Sequence, residues 1–153
     1  MPEPTPVRRT DDFRDQVSAA LDEFVDGQAA LLADLGDDAA ELVTAARASV
    51  SGGKRLRAAF CYWGHRSVDE HPGVEAERAL LRASAALELL HASALVHDDY
   101  MDSSDTRRGR PATHKAFEAR HRERGWPGEP AQYGAAAAIL LGDLLLSLSL
   151  IHI

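Results

Sequence analysis

Apolar positions recur along this chain every three to four residues, the period of an amphipathic helix. Phe13, Val17, Leu21, Phe24 and Leu31 keep that spacing from Asp11 onward, with Asp, Glu and Arg between them. Asp37 or Asp38 can cap a second helix running through Val50, and Ser51-Gly52-Gly53 breaks it. A third helix is predicted from about Lys54 to His65, then a turn over Asp69 to Gly73. A long helix follows from about Val74 to Met101. Its first two turns carry Glu75, Glu77, Arg78 and Arg82. Beyond Ala83 it is nearly all Ala, Leu, Ser and Val, with Glu88 and His91 the main exceptions before His97. That is the profile of a helix entering the centre of a bundle. Ser103 to Pro111 reads as a loop, Thr113 to Glu123 as a short helix, and Gly125 to Pro130 as a second loop. An apolar helix from Ala135 to Ile153 closes the chain. Residues 1–10 hold three prolines and no periodic pattern, and read as a disordered tail. No stretch has the period of a strand and nothing repeats, so the predicted class is all-α.

Composition narrows the partners. The chain has 153 residues, 45% hydrophobic and 27% charged, enough for a globular core. A net charge of −7 disfavours nucleic acid, so the basic residues have to be read locally. The single cysteine, Cys61, excludes an internal disulfide and suits a reducing, cytoplasmic setting. No basic segment followed by an apolar one opens the chain, so no secretory signal is expected. The stretch from Ala135 to Ile153 is almost long enough to span a bilayer, but Asp143 near its middle would be costly in lipid. A buried helix is the expectation, with no transmembrane segment.

The candidate chemistry lies where the long helix ends. Asp98 and Asp102 are four apart and share a face, with Asp99 beside them. Carboxylate oxygens of this kind suit Mg²⁺, with Mn²⁺ an alternative; Mg²⁺ keeps several waters and bridges to phosphates. Acidic helix ends are often plain solvated surface. These three, however, crowd a C-terminus, where the helix dipole opposes them and calls for a cation. His91 lies seven residues before Asp98, about 10 Å along the same face. A lone histidine on an apolar helix is as readily a hydrogen-bonded core residue as a ligand contact. Arg107 and Arg108 follow on a loop, and planar guanidinium groups suit phosphate oxygens. Lys54 and Arg57, three apart after Gly52-Gly53, are placed at the start of the third helix, where backbone N–H groups also favour anions. The Gly-x4-Gly-Lys-Ser/Thr spacing of a Walker loop is absent.

Taken together, Gly52-Gly53-Lys54-Arg55-Leu56-Arg57, Glu88-Leu89-Leu90-His91, the Asp-Asp-x-x-Asp motif at Asp98, Asp99 and Asp102, Arg107-Arg108-Gly109-Arg110-Pro111 and Gly142-Asp143 resemble the trans-isoprenyl diphosphate synthases, the polyprenyl synthetase family. The resemblance covers about residues 11–147. It implies the N-terminal half of the isoprenoid-synthase helical bundle, and a bacterial geranylgeranyl diphosphate synthase in particular. It assigns Asp98, Asp99 and Asp102 to metal on an allylic diphosphate, and Arg107 to that same diphosphate. Lys54, Arg57, His91 and Arg108 would hold isopentenyl diphosphate. The implied reaction is head-to-tail 1′-4 condensation, with Asp98, Asp99, Asp102 and Arg107 as the catalytic set. Ser93 and Ala94, small residues about one turn below Asp98, would form the floor under the growing chain, open enough for a C20 product. Ala58, where the family often has proline, and Tyr100, often aliphatic there, depart from the pattern.

The resemblance also implies a protein roughly twice as long, homodimeric at full length, with a second aspartate-rich motif that this chain lacks. The chain is therefore expected to be a fragment and inactive by itself, with bare apolar faces on its long helices. Leu148 to Ile153 does not follow the family pattern and reads like a translated sequencing-adapter end, so residues 148–153 are expected to be a non-native tail. Two other functions stay open. A non-catalytic partner subunit of a heteromeric synthase would not need three metal-binding carboxylates. A class I terpene cyclase would not need Lys54, Arg57 and the Arg107-Arg108 pair.

Overall fold

The computed structural model describes residues 10–152. Six helices are present among them: α1 (Thr10–Leu32), α2 (Asp37–Val50), α3 (Leu56–Arg66), α4 (Val74–Met101), α5 (Thr113–Glu123) and α6 (Pro130–His152). A short 3₁₀ turn, Ala33–Leu35, joins α1 to α2. The all-α class holds, and α4 and α5 occupy the ranges their periodicity predicts. The tail expected at residues 1–10 lies outside the described residues except for Thr10, which opens α1.

Four local features differ from expectation. The loop after α4 contains a small antiparallel hairpin, β1 (Thr106–Arg107) paired with β2 (Arg110–Pro111). Its two-residue turn is Arg108-Gly109, with φ of 51° and 74°. Positive φ at both turn positions matches the right-handed twist of paired strands. Next, α3 starts at Leu56 because Arg55 is left-handed, with φ 53° and ψ 36°. Lys54 therefore precedes the helix instead of sharing its first turn with Arg57. Further on, α6 starts at Pro130; a proline is tolerated there because its missing N–H would have no helical partner. Neither aspartate caps α2. Gly36 holds the cap position, and Asp37 and Asp38 lie in the first turn, where negative charge is favoured by the dipole.

The long helix α4 is the hub, touching each of the other five. Its buried Leu80, Ala85, Leu89, Ala92 and Val96 meet Phe13, Val17 and Leu21 of α1, Tyr62 of α3, and Leu141 and Leu145 of α6 in one core. Phe13 and Tyr62 pack with ring centroids 4.7 Å apart. Polar ties close the edges. Glu77 near the start of α4 takes the Tyr62 hydroxyl and Arg66. Glu41 of α2 receives Arg120 and Arg124 of α5 and its C-cap, each at 2.7 Å.

Glycine sets how closely α6 approaches. At Gly142 a side chain would occupy the space of the His97 imidazole, and at Gly134 it would meet the His114 carbonyl. His97 uses the gap to bring Nε2 within 3.3 Å of the Ile139 carbonyl and 3.5 Å of Asp143. By length and composition α4 and α6 could each cross a membrane; half of the most apolar window of α4 is buried inside this fold, and 39% of that of α6. Leu90 of α4 and Ile139, Leu140 and Leu146 of α6 are exposed. Beyond Leu146 the helix runs on unbroken to His152, with Leu148 and Ser149 buried and the His152 ring 4.3 Å from Phe24.

Gly142→Ala should force a methyl group into the His97 ring and cost about 1–3 kcal/mol, as overpacking of a tight interface does. Urea denaturation of the variant measures this. A stability equal to that of the parent would show that α4 and α6 do not meet as described.

Candidate active site

The C-terminal turns of α4 and the hairpin after it build the site. Spacings of seven and four residues put His91, Asp98 and Asp102 on one side of α4, while Asp99 turns toward the body of the fold. Asp98 and Asp102 are exposed and Asp99 is 3% exposed. The hairpin folds back so that Arg107 meets the acidic turn. Its Nε donates to both Asp99 oxygens, at 2.7 and 2.6 Å. Its Nη2 lies 2.5 Å from Asp99 Oδ1 and 3.6 Å from Asp98 Oδ2. The bond to Asp99 holds the Arg107 pKa above its ordinary value, the opposing effect of burial being smaller. Backbone bonds fix the loop: Ser104 N–H donates to the Asp99 carbonyl and Ala112 N–H to that of Asp105, at 2.8 and 2.9 Å. This is the cation that an acidic helix C-terminus calls for.

The three aspartates thus fall into two groups. Asp99, expected as a metal ligand with the other two, has both oxygens taken by Arg107. Asp98 and Asp102 remain open to solvent, one turn apart. Among the described residues no three His, Cys, Asp or Glu groups converge on a point that could hold a metal. Two exposed carboxylates suit a hard cation that keeps most of its water and completes its shell on a phosphate.

Arg108 links this acidic end to the glycine loop. Its Nη1 donates to the Ser51 carbonyl at 3.1 Å, and its guanidinium lies over Gly53, 3.5 Å from where a Cβ would stand. Gly52 and Gly53, with φ of 70° and 92°, make the turn that allows this. Arg57, in the first turn of α3, and Lys54 are exposed. His91 is half-buried and its pKa is lowered from 6.5, by burial first and then by Arg57, with Arg108 and Arg107 adding to it and Glu88 opposing. Three arginines from two segments, α3 and the hairpin, therefore act on one imidazole. Of the proposed floor residues, Ala94 is exposed and Ser93 is buried. A cavity of about 410 Å³ lies on the adjoining side of α4, between α2, the hairpin and α5, with Asp99, Arg107 and Arg108 in its wall.

Sequence reading gave no role to Arg55 or to Glu88. They form a buried pair, Arg55 Nη1 to Glu88 Oε2 at 3.4 Å. The available signal was Glu88 itself, a carboxylate in the apolar run of a central helix, where burial demands a partner.

The helical bundle and its acidic, arginine-clamped helix end define the isoprenyl synthase class of fold. The chain belongs to the polyprenyl synthetase family, whose profile matches residues 39–153. Geranylgeranyl diphosphate synthase of Methanosarcina mazei is 39% identical over 108 residues, 70% of this chain and 27% of that protein. Chloroplastic geranylgeranyl pyrophosphate synthase 3 of Arabidopsis thaliana is 36% identical over 105 residues, 67% of this chain and 23% of that protein. Among solved structures, the geranylgeranyl pyrophosphate synthase of Corynebacterium glutamicum, complexed with isoprenyl diphosphate and magnesium, superposes with a TM-score of 0.82 at 36% identity, covering 95% of this chain and 41% of that one. An apo FPP/GFPP synthase from Zymomonas mobilis gives a TM-score of 0.61 at 28% identity, covering 94% and 45%. The chain spans about a quarter of the length of these curated relatives and under half of the solved structures.

Titrated by NMR, His91 should protonate below 6.5, and added inorganic diphosphate should raise that value by offsetting the arginines. The sign for stability follows. Between 6.5 and the lower folded value the unfolded chain binds the proton and the folded chain does not, so folding weakens as pH falls through that window. A ring that titrates at or above 6.5, or ignores diphosphate, would contradict the cluster.

Proposed function

We propose that this chain belongs to a longer (2E)-prenyl diphosphate synthase that joins an allylic diphosphate to isopentenyl diphosphate, with geranylgeranyl diphosphate as product. The observation that carries this reading is the pair of adjacent arginines. Arg107 sits on the acidic end of α4 and Arg108 on the glycine loop, so one hairpin serves two neighbouring anion sites. Family membership and relatives named geranylgeranyl diphosphate synthases support it. The magnesium in the Corynebacterium structure supports a divalent cation.

In this reading Asp98 and Asp102 would hold Mg²⁺, and Asp99 keeps Arg107 directed at the allylic diphosphate. When bound, the metal supplies positive charge that neutralises the diphosphate. Arg107 adds a fixed, always-charged donor beside the same group. Lys54, Arg57, His91 and Arg108 would bind the diphosphate of isopentenyl diphosphate and set its alkene against the allylic carbon. The allylic C–O bond breaks with its electron pair leaving on diphosphate. The terminal alkene carbon then bonds to the allylic carbon, positive charge moves to the other alkene carbon, and a proton lost from the methylene next to that centre passes to the released diphosphate as the double bond re-forms. None of these residues acts as a nucleophile. Ala94, small and exposed near Asp98, leaves room for a long chain.

The assay, run with the full-length protein because this chain by itself is expected to be inactive, is condensation of farnesyl diphosphate with labelled isopentenyl diphosphate in Mg²⁺ buffer. Asp98→Asn should lower kcat by about a hundredfold or more, as removal of a charge-stabilising group does. Arg57→Gln should raise the KM for isopentenyl diphosphate by about tenfold, and Ala94→Phe should shorten the product. A cyclised hydrocarbon formed without isopentenyl diphosphate would point instead to a terpene cyclase. A protein that binds both diphosphates and never turns over, even beside an active synthase subunit, would overturn the catalytic reading.

A further inference from the structure

Placed between Lys54 and Arg57, Arg55 looks like another cation offered to an anion. The structure turns it away. Its left-handed backbone sends the side chain inward, to 6% exposure, while its neighbours stay outside. There Nη1 meets Glu88 Oε2 at 3.4 Å, and Nη2 donates to Ser18 Oγ of α1 at 3.3 Å. The second Glu88 oxygen accepts the Ala58 backbone N–H at 3.3 Å. That N–H lies in the first turn of α3, which has no side-chain cap of its own. A carboxylate from the middle of α4 thus caps α3 from outside, where negative charge is favoured by the helix dipole. Glu88 is also three residues before His91, hence on a neighbouring face of the same helix turn.

We propose that Arg55 and Glu88 are a positioning pair. By capping α3 and holding Arg55, Glu88 fixes the Gly52–Arg57 segment against α4, so that Lys54 and Arg57 act together with His91 on one diphosphate. Arg55 itself contacts no ligand. This rests on the reading of Lys54, Arg57, His91 and Arg108 as a diphosphate site. It adds that the site's geometry is set by a buried pair that never touches the anion. A buried charge left without its partner is strongly disfavoured, so neutralising one member should disturb the loop that holds the other.

The test is calorimetric titration of the full chain with inorganic diphosphate, alongside thermal melts and the amide NMR shifts of Gly52 and Gly53. Arg57→Gln checks the site, and about tenfold weaker binding is expected. Glu88→Gln keeps the shape and an acceptor for Ala58 but removes the charge. It should weaken binding by about tenfold as well and shift both glycine amides. Arg55→Lys, which retains a charge for Glu88, should bind more tightly than Arg55→Met, and adding Arg55→Met to Glu88→Gln should cost little more. If Arg55→Met does not fold, Glu88→Gln and Arg55→Lys decide. Binding by Glu88→Gln as tight as the parent's or tighter overturns the proposal, because Arg55 is then a ligand or the pair only adds stability. Unchanged binding in Arg57→Gln, or none in the parent chain, removes the diphosphate site and the proposal with it.

Discussion

Negative charge gathered at the end of α4 is the constraint around which this fold is arranged. Three aspartates lie at a helix C-terminus whose own dipole is negative, a combination that repels itself unless a cation is supplied. Arg107 supplies it from the hairpin, using three contacts on Asp99. Satisfying Asp99 in this way leaves Asp98, only 3.6 Å from the same guanidinium, and Asp102 exposed to solvent. That residual charge is what a hydrated divalent cation and a diphosphate would jointly neutralise. The site is therefore only half-balanced by the protein's own cations.

The rest of the structure serves that end of α4. Gly142 lets α6 lie close along it, with His97, just before the aspartates, wedged against that glycine, and Gly134 brings α6 equally close to α5. The Glu41 contacts with Arg120 and Arg124 tie the far end of α5 to the start of α2, while Arg107 bonds to Asp99 of α4 and Arg108 to the carbonyl of Ser51 at the end of α2. The hairpin is thus held on both sides, and Arg107 and Arg108 are fixed between the acidic turn and the glycine loop. At the other end of the site, Glu88 and Arg55 anchor the loop through the core. Both flanks of the site are referenced to α4, the helix that touches every other.

Much of this was legible from residues. A long apolar stretch in one helical register gives α4, and the loops on either side of Thr113–Glu123 bound the short, polar α5. The acidic and basic clusters announced themselves by their conflict with the dipole and by their spacing. What was not legible depended on contacts distant in sequence or on single backbone angles. A hairpin with two residues per strand is too short to show a period of two. The left-handed Arg55 carries no mark, since arginine is not a residue that favours that region, and it moves the start of α3 past Lys54. That Asp99, and not Asp98, would be the aspartate clamped by Arg107 follows from the direction in which the hairpin returns. Glu88 was conspicuous as a charge in an apolar helix, but its partner lies 33 residues away across the bundle.

The account turns on a division of labour among three neighbouring carboxylates, so the most direct measurement is a crystal structure with Mg²⁺ and a non-reactive thio-analogue of an allylic diphosphate. Metal coordinated by Asp98 and Asp102, with Asp99 still bonded to Arg107, is the predicted result. Metal bound through Asp99 with Arg107 displaced, or the diphosphate held away from the end of α4, would contradict it.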